Sequence, residues 1–147
     1  MQALGRRLGQ AACRGDVLVL DGPLGAGKTT LTQGLGAGLG VADQIVSPTF
    51  VVLREYAGRL PLYHFDLYRF EGSARAADLE FGDYVDGGDG VSVIEWPSHA
   101  PELLPASYLR LSLRYGDSNS GARTLTVEAI GVASRRLLDA VAGADRS

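Results

Sequence analysis

At 147 residues the chain has the length of one domain, and a chain of that size buries roughly two-thirds of the surface its unfolded form exposes, enough for a core without disulfide or metal staples. Its formal net charge of -3 argues against a protein that grips nucleic acid by itself, because such binding rests on Lys and Arg neutralising phosphates; a nucleic-acid role would pass through a partner. The lone Cys13 closes no internal disulfide and reads as inert, no run reaches the roughly 18 apolar residues of a membrane span, and the expected location is the cytoplasm.

Residues 2 to 13 place Leu4, Leu8 and Ala11 or Ala12 at helical spacing. The chain opens directly on this helix, so a short cap ahead of it is expected to be absent. "DVLVL", 16 to 20, is a short apolar run between Gly15 and Gly22, the pattern of a strand buried on both faces. Residues 28 to 39 follow as a helix with Leu31, Leu35 and Leu39 on one stripe. "VVLREY" and "LPLYHFDLY", separated by Ala57-Gly58-Arg59, predict a hairpin. Helical character runs from 73 to 85, "DGGDG" is a turn, and "VSVIEW", 91 to 96, is a second buried strand. Pro97, Pro101 and Pro105 punctuate a short helix around Ser98 to Leu104. "YLRLSLRY" alternates Leu109, Leu111 and Leu113 with Arg110, Ser112 and Arg114, as a strand with one wet face does. After the loop "GDSNSG" comes the strand "RTLTVEAI", and residues 132 to 142 close the chain as a helix. The expected architecture is one α/β domain over 1 to 147, a central mixed sheet flanked by helices, with parallel strands first and antiparallel strands later.

The twenty glycines are about twice the usual share of roughly 7%, and three of them fall in "DGPLGAGKTT". Gly22-Pro23-Leu24-Gly25-Ala26-Gly27-Lys28-Thr29 satisfies G-x-x-x-x-G-K-[ST]. It leaves a buried strand and enters a helix, the setting in which backbone N–H groups wrap a phosphate. Lys28 is the only lysine in the chain, against thirteen arginines. Lysine presents a compact point charge where arginine presents a wide planar fork, so the one lysine is expected where arginine would not serve, between the β- and γ-phosphates of a nucleotide. The amides of Gly25, Ala26 and Gly27 would line the cradle, Thr29 would offer its hydroxyl to Mg²⁺ and Thr30 would reach the α-phosphate. The predicted domain is therefore a P-loop NTPase with a nucleotide and Mg²⁺ as its cofactors.

Such an enzyme needs acids at the ends of neighbouring strands, to hold Mg²⁺ through water and to orient the nucleophile. Asp66 ends "LYHFD" and Glu95 ends "VSVIE". Each is a candidate catalytic acid, with an ordinary strand-end carboxylate as the alternative. Arg69 would face the γ-phosphate or pair with Asp66. His64, between Tyr63 and Phe65, reads more readily as a structural histidine than as a proton carrier, His99 as a surface residue, and Trp96 as a core plug or a site residue beside Glu95.

"GPLGAGKTT", "SPTF", "YHFDLYR" and "IEWP", in this order and spacing, resemble the TsaE (YjeE) family of small bacterial ATPases over essentially the whole chain. The resemblance implies that the nucleotide is ATP or ADP. It implies a Mg²⁺-dependent ATPase that works with the partner proteins TsaD and TsaB in making the threonylcarbamoyl modification on adenosine 37 of tRNA, and meets tRNA through them rather than directly; neither DNA nor a membrane is implied. It implies Lys28 and Thr29 as phosphate and magnesium ligands, Thr49 of "SPTF" as a switch-like threonine near the γ-phosphate, Asp66 as the catalytic acid, Glu95 as the magnesium-associated acid with Trp96 beside it, and Arg123 close to the nucleotide. Two departures are visible. An acidic residue is usual in the family where this chain has Pro23, which leaves the amide cradle intact and removes a local charge. The family's N-terminal segment, with a threonine near the adenine, precedes the position where this chain starts.

Two other P-loop classes fit less well. A GTPase would carry D-x-x-G and N-K-x-D, yet the single asparagine is Asn119 and the single lysine is already used. A small-metabolite kinase would want an acceptor-binding insertion, for which residues 70 to 90 leave little room. A nucleotide-dependent regulatory subunit, whose hydrolysis times assembly, overlaps with the role the resemblance implies.

Overall fold

A computed structural model describes residues 1–23, 27–46, 53–67, 84–85, 88–99, 101–115 and 123–145, without the side chains of 99, 102, 123 and 143–145. In chain order these form α1 (Gln2–Ala11), β1 (Val17–Asp21), α2 (Lys28–Gly38), β2 (Leu53–Tyr56), β3 (Leu62–Asp66), β4 (Val91–Glu95), β5 (Tyr108–Tyr115), β6 (Arg123–Ile130) and α3 (Arg135–Asp145). The strands make one sheet in the order β2-β3-β4-β1-β5-β6. The inner four run parallel, and β2 and β6 are antiparallel additions at the two edges. The expected mixed sheet is present, and the β2–β3 hairpin places one antiparallel pair early in the chain. The carboxyl ends of β3, β4, β1 and β5 share one edge, where ligands of open α/β sheets bind.

Alternation along each strand decides what meets what. Leu18 and Leu20 of β1, Leu62 of β3, Val91 and Val93 of β4 and Leu109 and Leu111 of β5 join Leu8, Leu31, Leu35, Leu39, Leu137 and Val141 from the helices in one core. Val17, Val19, Tyr63, Phe65 and Ile94 face the other way, into a second core with Leu67 and Val85. The Leu31, Leu35 and Leu39 stripe is buried as its spacing predicts, and the leucines of β5 are buried while its arginines are not.

Four glycines outside the loop motif are used where α1 crosses α2. A Cβ on Gly5 would strike the backbone of Leu31, one on Gly9 the backbone of Leu35 and Gly38, and one on Gly38 the backbone of Arg6. Gly34 likewise lies against Gln2. Paired small residues four apart let two helix backbones approach more closely than any side chain permits. This contact fixes the axis of α2, and so the place of its first residue, Lys28.

The element boundaries differ from the predicted ones for local reasons. The short helix expected around Ser98 to Leu104 is two 3₁₀ turns, Pro97–His99 and Pro101–Leu103, since Pro101 has no N–H with which to continue an α-helix. The last helix starts at Arg135 rather than 132, after a turn in which Gly131 takes φ +82°. Strand β4 ends at Glu95, and Trp96 leaves it in a left-handed conformation, φ +59°. Of the helix expected over 73 to 85, only Tyr84 and Val85 lie within the described residues, and both are helical. No helix among the described residues is long and apolar enough to cross a membrane.

Candidate functional site

Strand β1 delivers Asp21 to the carboxyl edge of the sheet, and the segment that begins at Gly22 returns the chain at Gly27 as the N-cap of α2. Gly27 has φ +110°, a conformation that L side chains rarely adopt, and as a glycine it offers no side chain to cap the helix. A helix begins with amides that lack intrahelical partners and with the positive end of its dipole, and in α2 both lie at Gly27. Pro23 is exposed. Thr29 and Thr30, the second and third residues of α2, are half-buried in that first turn.

Lys28 begins the helix and is only 5% exposed. Its ammonium donates to the carbonyl of Gly22 at 2.8 Å and lies 3.7 Å from the centre of the Trp96 ring. Burial pushes the ammonium below the ordinary lysine range, and the Glu95, Asp66 and Asp21 carboxylates act in the opposite direction. The left-handed backbone of Trp96 is strained by about 1–3 kcal/mol, and it seats the ring over this cation.

Asp66 and Glu95 sit opposite each other in the parallel register of β3 and β4, both buried, at 7% and 3% exposure. Two strands that end together thus bring two carboxylates to one spot. Two residues before Asp66, on the same face of β3, His64 is fully buried with its Nε2 at 2.5 Å from Oε2 of Glu95. A carboxylate offers acceptors only, so the imidazole donates from Nε2; its buried Nδ1 has no hydrogen-bond partner among the described residues. On the other side of Lys28, Asp21 accepts from Arg110 at 3.0 Å and Arg114 at 3.3 Å.

Lys28, Asp66, Glu95 and Trp96, singled out from the sequence at scattered positions, are thus brought together, with Thr29 and Thr30 on the helix turn beside them. Gly25, Ala26, Thr49 and Arg69 lie outside the described residues. Arg123 opens β6, and its side chain and that of His99 lie outside them as well. The donor set suits Mg²⁺ better than a softer ion: a threonine hydroxyl and carboxylates are hard oxygens. Among the described residues there is no group of three or more His, Cys, Asp and Glu that would hold a metal unaided, and Mg²⁺ takes one or two carboxylates together with substrate phosphates.

The family model described as threonylcarbamoyl adenosine biosynthesis protein TsaE matches residues 1–125. The chain belongs to the TsaE family. Proteins named tRNA threonylcarbamoyladenosine biosynthesis protein TsaE resemble it over most of its length: one from Nostoc sp. is 45% identical over 84% of this chain and 77% of its own length, one from Bacillus subtilis 44% over 80% and 72%, and one from Streptomyces coelicolor 42% over 89% and 91%. Among solved structures, Bacillus subtilis YdiB superposes with a TM-score of 0.82 at 33% identity, covering 98% of this chain and 88% of that one. The process in which the TsaE family takes part is threonylcarbamoyladenosine biosynthesis on tRNA.

The TsaE motifs do not by themselves expose two features of the site. The His64 contact with Glu95 is foreshadowed by the i, i+2 spacing of His64 and Asp66, which puts both on one face of β3. The Asp21 cluster has no such signal, because Arg110 and Arg114 lie some ninety residues away and meet it only through the β1–β5 register.

Proposed function

We propose that this chain binds ATP with Mg²⁺ at the loop between β1 and α2 and hydrolyses it to ADP and phosphate, as the ATPase subunit that acts with TsaD and TsaB in threonylcarbamoyl modification of adenosine 37 in tRNA. The observation that carries the reading is a buried lysine at the start of a glycine-capped helix, faced by two carboxylates from adjacent strand ends. A cation held in so dry a place, already bonded to a backbone carbonyl, is set to exchange that carbonyl for a phosphate oxygen.

On this reading the first-turn amides of α2 cradle the phosphates and Lys28 neutralises charge on the β- and γ-groups as the bond between them breaks. Bound Mg²⁺ would supply further neutralisation of the phosphate oxygens. Thr29 and Glu95 are the residues that would hold it. Asp66 or Glu95 orients the attacking water, which adds to the γ-phosphorus while the bridging oxygen leaves with ADP. Trp96 covers Lys28 and keeps bulk water from the cation.

The test is ATP turnover by the isolated chain and by the chain with TsaD and TsaB, together with a pull-down of the two partners with and without ATP. Slow turnover that rises with the partners, and is lost in Lys28→Ala, is the expected result. Undiminished turnover in Lys28→Ala would remove the site assignment, and brisk phosphorylation of a small metabolite by the chain alone would replace the ATPase by a kinase.

A further inference from the structure

The buried histidine at the base of the site has a role that the ATPase chemistry above leaves unassigned. His64 stands on β3 with Asp66, facing the helix side of the sheet, and its register partner on β4 is Val93. The imidazole reaches past Val93 to the next residue of that face, Glu95. It is fully buried, Glu95 is 3% exposed, and the contact is 2.5 Å. Nδ1, the other ring nitrogen, is equally buried with no partner among the described residues, so the one polar contact described for the ring is directed at the site carboxylate. A structural histidine that served only the core would be replaceable by an apolar side chain of its size without leaving a polar atom of the site stranded. Here the same replacement would take from Oε2 of Glu95 the hydrogen bond that the described residues give it.

We propose that His64 is a positioning residue for Glu95: its Nε2–H fixes one oxygen of the carboxylate, so that the other is presented to the nucleotide site at a set angle. The inference rests on the ATPase reading for its effect on turnover, and on the geometry alone for the contact. One oxygen of Glu95 is held by the ring, and the other is left to the site. This is the arrangement by which an outer partner orients a carboxylate without taking part in the reaction, and loss of such a partner typically costs 10–100-fold in metal affinity or activity.

Three variants and one spectrum test it. His64→Leu is expected to lower kcat for ATP roughly 10–100-fold with KM little changed at saturating Mg²⁺, and to raise the Mg²⁺ concentration that gives half-maximal turnover. His64→Gln, whose amide N–H₂ reaches about as far as Nε2, should recover most of both; because it keeps the donor, it also answers the objection that the leucine variant fails to fold. In a Glu95→Gln background, His64→Leu should lower kcat no further, because residues that act through one another are non-additive. On the nucleotide-free protein, proton NMR should show a slowly exchanging His64 Nε2–H resonance that moves upfield in Glu95→Gln. Equal kcat in the wild type and His64→Leu, failure of glutamine to rescue a folded protein, or a fast-exchanging Nε2–H would each overturn the proposal. A wild-type chain with no ATP binding or turnover would instead overturn the ATPase reading, and the NMR measurement tells the two failures apart.

Discussion

Two carboxylate clusters end adjacent strands of the sheet and are neutralised in different ways. Asp21, at the end of β1, pairs with Arg110 and Arg114, whose side chains are 39% and 54% exposed. Glu95, at the end of β4, meets His64 and faces Lys28, and all three are buried. The first cluster has two planar forks lying in water, where a charge pair is screened. The second has a point charge and an imidazole in a dry pocket, where each interaction is stronger and each unpaired atom costs more. A chain that writes thirteen of its fourteen basic side chains as arginine places the fourteenth, a lysine, in the dry pocket.

The strongest way to break that contrast is Lys28→Arg. It keeps the charge and changes the shape, so a site that needs only a cation would tolerate it. We expect at least ~100-fold weaker ATP binding, about 2.7 kcal/mol, measured by titration calorimetry. Affinity within a few-fold of wild type would mean that the pocket reads charge and not geometry. Next in size are Asp66→Asn and Glu95→Gln, which keep volume and remove charge. Each should lower kcat by roughly 10²-fold or more while ATP binding changes much less, and the larger loss of the two identifies the acid that orients water. Equal losses of binding and turnover would show that both carboxylates serve only to hold the ligand.

Trp96 supplies an intermediate effect. Its ring lies against the Lys28 ammonium, a contact of about 0.5–2 kcal/mol, and it is the only tryptophan in the chain. If a phosphate draws the ammonium away from the Gly22 carbonyl, the emission of Trp96 must change as ATP is added. A flat fluorescence titration alongside calorimetric binding would show that the cation keeps its place beneath the ring. Trp96→Leu should weaken ATP binding no more than about tenfold, because Lys28 and the helix amides remain.

The sequence made the site legible where chemistry imposed a fixed spacing. G-x-x-x-x-G-K-[ST] after an apolar run places Lys28 on a helix turn, and an acid directly after an apolar run places Asp66 and Glu95 at strand ends; the register then sets the two acids side by side. Period-2 alternation located the wet face of β5. What stayed hidden depends on pairs far apart in the chain. The crossing of α1 and α2 uses Gly5, Gly9, Gly34 and Gly38 against backbone, and no periodicity of apolar residues announces a surface defined by missing side chains. The same holds for Trp96: its left-handed turn belongs to a residue type that gives no sign of it.

The smallest effect belongs to the arginine cluster, and its pH dependence is what separates it from the buried one. Burial alone would raise the Asp21 carboxyl, but hydrogen bonds and charges from Arg110 and Arg114 outweigh it and leave the group below its ordinary value of 3.8. The folded protein therefore holds this proton more weakly than the unfolded chain does. The stability so gained is fully present above the unfolded value and is lost as pH falls through the lower folded one. Replacing both arginines, Arg110→Ala with Arg114→Ala, should cost about 0.2–1 kcal/mol at neutral pH, the range of exposed pairs. The gap to the parent should close as urea unfolding is repeated at falling pH below about 4, and it should shrink at 1 M salt. A gap that persisted at pH 2 would place the loss in the packing of the arginine stems against β1 rather than in charge. A gap that resisted salt would put Asp21 in the same dry electrostatic environment as Glu95, and the division between the two strand ends would disappear.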